Sequence, residues 1–413
     1  MGIYDSNIKR DVDAINNLLK GIKPAMSVSV NPLQQIFYGA PGTGKSHEIK
    51  EKTKGESVIR TTFHPDSDYS TFVGAYKPTM GDVDAKVIPV VLGESGTVFN
   101  KNEGMYQEKR IVYQFVMQAF LKAYLGAWKK YAEASSDDVK PQFLVIEEIN
   151  RGNCAQIFGD LFQLLDRGDN RFSEYPIDAD TDLQQEIECA FKDSDEFKLK
   201  NDINVEGIVE DYTSNYGATL SEDIQHGRVL LLPSNLYIWA TMNTSDQSLF
   251  PIDSAFKRRW DWEYMPIGYK NTNWTIEIGD KKYCWVEFQQ KINEKIYNID
   301  NSEDKQLGDY FVNADRTNNK ISSKTLLNKI LFYIWNDVCK DDPDQIFRWK
   351  DDKDSNKEKS IKFSDFFCDE NERDRKLQGF MSFLEVKTIN ETDENKNPDG
   401  NETIVNNDND VIS

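Results

Sequence analysis

Eight consecutive residues limit the fold more than any other stretch of this 413-residue chain: Gly39, Ala40, Pro41, Gly42, Thr43, Gly44, Lys45 and Ser46. They fit GxxxxGK[ST], the phosphate-binding loop. The motif demands a strand before it and a helix after it. The apolar, β-prone run Leu33 to Tyr38 supplies the strand. Glycines let the backbone wrap around phosphate oxygens, and the amides then point at the anion, helped by the N-terminus of the following helix. Lys45 is placed to pair with the β and γ phosphates, and the Ser46 hydroxyl to bind Mg²⁺.

Three further elements follow in order. Phe143 to Ile146 is an apolar strand ending in Glu147 and Glu148. The first carboxylate suits the Mg²⁺ shell and the second suits orienting the attacking water. Leu236 to Met242 is a second apolar strand, ending in Asn243 and Thr244. Asn243 there either hydrogen-bonds the attacking water or caps a turn. Ala255 to Trp260 contains Lys257, Arg258 and Arg259. This cluster either complements a helix C-terminus or supplies an arginine finger to a neighbour's nucleotide, which requires a ring or at least a dimer.

Strands alternating with helices predict a parallel α/β core. The spacing of Ile8, Val12, Ile15, Leu19 and Ile22 predicts a helix over 7–22, so residues 1–32 read as a helix and linker. The core spans 33–266, with a hairpin over 86–99 and helices over 111–132, 154–167 and 252–259. A helical domain follows over 267–384, with helices at 285–298 and 322–340, and residues 385–413 read as a disordered acidic tail.

The net charge of −20 is uneven. Residues 173–225 hold 15 acidic and 3 basic residues, and 385–413 hold 8 and 2. The body between is close to neutral, which excludes a uniformly basic nucleic-acid coat but not a local basic path. The insertion 173–225 is expected to face away from any DNA path, toward a basic partner. No run of 18 apolar residues predicts a membrane span. Five cysteines without a CxxC pair and three histidines argue against zinc and for a reduced, cytoplasmic protein.

With these elements in order the chain resembles the AAA+ superfamily, and more narrowly the McrB-type NTPases of modification-dependent restriction systems. The strings that carry the resemblance are Glu147 to Asn153, similar to DEINRxN, and Ala240 to Leu249, similar to a stretch containing MNTADRSL. Pro251 to Trp260 and Phe63 to Gly74 are also similar. The resemblance implies a ring-forming motor, usually a hexamer, that uses ATP or GTP with Mg²⁺. It assigns Glu148 as catalytic glutamate, Asn243 as sensor, and Arg258 or Arg259 as the finger in trans. It implies a separate McrC-like nuclease partner and action on DNA through the complex, with no intrinsic nuclease and a helical lid domain after the core. Glu147 stands where the family has Asp, and Gln247 where its best-known members have Arg. No separate modified-DNA reader is expected in residues 1–32. The alternative is a MoxR-like chaperone that shares the core and remodels a protein client.

Overall fold

The computed structural model describes residues 31–86, 105–135, 139–245, 250–351 and 354–389. The helix expected over 7–22, the hairpin turn near 93–96, Gln247 and the tail beyond 389 lie outside them. The described residues divide into two compact units. One draws on the described residues within 31–38, 46–242 and 250–263, the other on those within 39–45, 243–245 and 264–389.

The first unit opens with β1 (Gln34–Gly39), α1 (Lys45–Lys52) and β2 (Ser57–Thr62), then a ribbon of β3 (Gly74–Lys86) and β4 (Met105–Met117). α2 (Ala119–Glu133) and β5 (Gln142–Glu147) follow. The acidic insertion contributes β6 (Ile177–Asp178), α3 (Thr181–Asp193), α4 (Leu220–Gln225) and β7 (Val229–Leu230) before β8 (Leu236–Asn243) and β9 (Asp261–Tyr264). The central sheet runs β2-β5-β8-β1-β9. β5 pairs in parallel with β2, setting Thr62 opposite Glu147, and with β8, setting Ile146 opposite Ala240. Phe143 to Ile146 and Leu236 to Ala240 are buried, as expected of interior strands covered on both faces.

α2 places Phe120, Leu121, Tyr124, Leu125 and Trp128 on one buried face. Phe120 meets Phe72, which meets Phe63 and Phe158 in turn. Each such side chain withdrawn from water contributes roughly 1.5–3 kcal/mol. The insertion shares this core through Leu183, Ile187, Phe191, Ile203, Leu220 and Ile224.

Several element boundaries differ from the sequence expectation. The hairpin expected over 86–99 starts at Gly74, and residues 111–117 belong to β4, not to the helix expected over 111–132. Alternation of Ile111, Tyr113 and Phe115 with Val112, Gln114 and Val116 has a period of two, and those residues pair with 75–80. The helix expected over 154–167 is a short α-helix, Cys154–Phe158, followed by a 3₁₀ turn to Leu165. Gly159 separates them at φ +50°, outside right-handed helix space.

The second unit contains β10 (Thr275–Ile278), β11 (Lys281–Cys284), α5 (Trp285–Asp300), β12 (Lys320–Ser322), β13 (Arg348–Asp351), β14 (Asp354–Ser360) and α6 (Glu370–Phe383). Its described residues therefore carry five short strands besides the helices. The helix expected over 322–340 includes two π-helical stretches, Leu326–Leu331 and Ile334–Val338. Val386 is buried and Thr388 bridges Tyr283, so packed structure runs past residue 385, where the sequence reading starts the tail. All five cysteines are free thiols. No helix among the described residues is long and apolar enough to cross a membrane.

Candidate nucleotide site

β1 delivers the chain into the glycine-rich loop, and α1 begins at Lys45. The loop turns through Gly42 at φ +80° and Gly44 at φ +90°, which L side chains rarely adopt. Thr43 Oγ1 donates to Ala40 O at 3.1 Å. The buried Lys45 Nζ donates to Gly39 O at 3.0 Å and to Ala40 O at 2.9 Å. The ammonium is thus folded over the loop's own carbonyls, and the loop backbone is turned as an anion cradle requires.

The carboxyl ends of β5 and β8 carry the acidic part of the site. Glu147 Oε2 accepts from Ser46 Oγ at 2.8 Å and from Thr241 Oγ1 at 2.7 Å. Its other oxygen accepts from Arg60 Nη1 at 2.8 Å. The extra methylene of Glu over Asp therefore does not leave the carboxylate loose. Thr241 Oγ1 also accepts the Glu148 amide at 3.1 Å. Glu148 itself sits at φ +56°, a left-handed conformation uncommon for a residue with a side chain. That kink turns Glu148 away from the strand direction Glu147 follows. The Arg151 guanidinium approaches Glu148 Oε2 at 3.5 Å.

A hydroxyl and a carboxylate oxygen that already touch are an oxygen-only donor pair, suited to Mg²⁺ held by one or two protein ligands plus phosphates. The described residues contain no cluster of three or more His, Cys, Asp or Glu that would form an all-protein metal cage. Ser46 and Glu147 thus fit Mg²⁺ delivered with a nucleotide.

The two candidate fingers differ sharply. Arg259 donates to Asp166 Oδ2 at 2.5 Å and to Ala255 O at 2.9 Å, and its guanidinium lies 4.0 Å from the Phe162 ring centre. Its side chain is 8% exposed, against 66% for Arg258. Arg259 is committed to its own fold, whereas Arg258 reaches solvent. Asn243 closes β8 and is half-buried. The His64 amide donates to Ser67 Oγ at 2.9 Å and its carbonyl accepts the Ser67 amide at 2.9 Å, closing a tight turn after β2.

Sequence reading missed Arg60, Thr241, Asp166 and Arg151. Arg60 is identifiable only through strand register, because Thr62, two residues on, lies opposite Glu147. Thr241 immediately precedes Met242 and stands within the Ala240 to Leu249 string, where its hydroxyl carries no signal of its own.

Residues 34–260 match the AAA domain model of the dynein-related subfamily. The chain is 34% identical over 344 residues to the type II restriction enzyme BsuMI component YdiS of Bacillus subtilis, covering 78% of this chain and 84% of that protein. It is 22% identical over 301 residues to the type IV methyl-directed restriction enzyme EcoKMcrB subunit of Escherichia coli, covering 68% of this chain and 47% of that protein.

Proposed function

The chain belongs to the AAA+ family, in its McrB-type branch, and from that membership and the site geometry we propose that it hydrolyses a nucleoside triphosphate, ATP or GTP, as the motor subunit of a restriction complex. The carrying observation is the division between two consecutive carboxylates. Glu147 is bound to Ser46 and Thr241, while Glu148 is swung off the strand by its left-handed backbone.

In this reading the loop amides and Lys45 grip the phosphates. Ser46 and Glu147 hold Mg²⁺, which when bound neutralises developing charge on the phosphates. Glu148 orients the attacking water, with Asn243 at the adjoining strand tip. Arg258 reaches the nucleotide of a neighbouring subunit in a ring, of which a hexamer is the expected form. Both relatives carry restriction-system names, which favours DNA and a separate nuclease as partners over a protein client.

The test is turnover of ATP and of GTP by wild type and by Glu148→Gln, with and without DNA and a candidate nuclease subunit. Glu148→Gln should retain nucleotide binding and lose turnover by about 10²–10³-fold. Equal turnover in the two proteins would end the proposal.

A further inference from the structure

Within the second unit, Gly308–Phe311 lies directly against the phosphate loop. The Gly308 amide donates to Pro41 O at 3.0 Å, and the Tyr310 amide donates to Gly42 O at 2.7 Å. The approach is as close as backbones allow. A Cβ on Gly308 would stand 2.2 Å from Gly42 C and 2.4 Å from Thr43 N. A Cβ on Gly42 would stand 2.4 Å from Phe311 N, and one on Gly44 would stand 3.2 Å from the Tyr310 ring. Gly42 is therefore required twice, once for its positive φ and once for this contact.

The segment is itself held from behind. Asp309, 2% exposed, accepts from the Gly268 amide at 2.8 Å and the Lys270 amide at 3.2 Å. Its carbonyl accepts from Asn271 Nδ2 at 2.6 Å. On α5, the buried Gln289 and Asn293 both donate to Leu307 O, and Asn293 Oδ1 accepts the Leu307 amide at 2.7 Å. Phe311 N closes a turn onto Gly308 O at 3.2 Å.

A glycine-rich loop that must aim its amides at an anion loses much conformational freedom on ordering. Its carbonyls also need partners. The 308–311 turn supplies fixed donors to two of those carbonyls.

We propose that Gly308–Phe311 is a splint for the phosphate loop, with Gly308 and Asp309 as positioning residues that set nucleotide affinity without touching the reacting atoms. The inference rests on the loop being the nucleotide site. Preorganisation of this kind acts on binding rather than on the chemical step.

The experiment uses the full chain and titrates fluorescent ATP and GTP analogues into wild type, Lys45→Ala, Gly308→Ala, Asp309→Ala and Asp309→Asn, with circular dichroism melts of each. Gly308→Ala should weaken binding about tenfold, raising KM while kcat at saturation stays within about twofold. Asp309→Ala introduces no clash and should weaken binding about threefold, and Asp309→Asn, which keeps one acceptor oxygen but sets its NH2 against the second amide, should recover only part of it. A folded Gly308→Ala that binds like wild type while Lys45→Ala does not overturns the splint alone. If Gly308→Ala does not fold, equal affinity of Asp309→Ala and wild type overturns it. Unchanged binding by Lys45→Ala removes the nucleotide-site reading and the splint with it.

Discussion

The carboxyl edge of the central sheet and the insertion 173–225 are both rich in acidic residues, yet they use carboxylates in opposite ways. At the sheet edge, Glu147 faces two hydroxyls and a guanidinium, of which Ser46 and Arg60 reach the surface while Thr241 is buried. In the insertion, Asp223 is completely buried and accepts from the Tyr212 hydroxyl at 2.6 Å, the Ser214 hydroxyl and Arg228 at 3.2 Å. Asp180 caps α3, and Glu222 closes a capping box with Thr219 at α4. These carboxylates serve the fold. Charge density alone does not mark a site; what matters is whether the partners of a carboxylate could be exchanged for a ligand.

The same division separates Arg258 from Arg259, and it gives the largest expected effect. Arg258→Ala should lower steady-state turnover by about 10³-fold if the residue acts as a finger. Its melting temperature should stay at the wild-type value, since the side chain is mostly in solvent. Arg259→Ala should do the reverse, lowering the melting temperature because it removes the close donor to Asp166 and leaves only Arg258, at 4.0 Å, beside that carboxylate. Loss of activity in Arg259→Ala with unchanged melting would erase the distinction.

Asp223→Asn should cost about 1–3 kcal/mol of stability, measured by urea titration, and leave turnover per folded molecule intact. Burial, the largest single influence, would raise the Asp223 pKa. The Ser214 and Tyr212 hydroxyls and Arg228 together outweigh it and hold the carboxyl below the ordinary carboxylate range. The unfolded chain therefore binds the proton more readily than the folded one. The contribution is present in full above the ordinary carboxylate range and is lost as pH falls through the depressed folded value. Asp223→Asn should accordingly flatten stability against pH at the acid end, and an unchanged acid limb would show that Asp223 is not what the insertion depends on.

The smallest effect sharpens the sheet-edge side. Arg60→Ala frees one oxygen of Glu147 and should raise the Mg²⁺ concentration needed for half-maximal nucleotide binding about threefold, with Arg60→Lys intermediate. No shift in the Mg²⁺ requirement would make Arg60 a surface contact only.

Much of the phosphate loop and the two carboxylates was legible in the sequence because their chemistry is local. The glycines, Lys45 and Ser46 are adjacent, and Glu147 and Glu148 follow an apolar run that marks an interior strand. What escaped depends on distance along the chain. Arg60 and Glu147 are 87 residues apart and meet only through strand register. Asp166 and Arg259 are 93 apart. The β4 boundary was misread because the alternating residues 111–117 pass almost without interruption into the apolar face of α2. Gln118, at the junction, makes no side-chain capping bond that would signal a helix start. Gly159 broke a helix whose apolar periodicity continues on both sides of it.

The β3–β4 ribbon has a mechanical consequence. Its 13 paired positions extend for roughly 40 Å at the usual rise per residue. At its base Gly74 sits at φ +151°, and a Cβ there would meet the Phe115 ring at 2.4 Å. Over that length a tilt of about 5° at the Gly74 end displaces the Lys86 end of the paired strands by roughly 3–4 Å. Any angular change at Gly74 is therefore delivered, magnified, to whatever meets the distal ribbon.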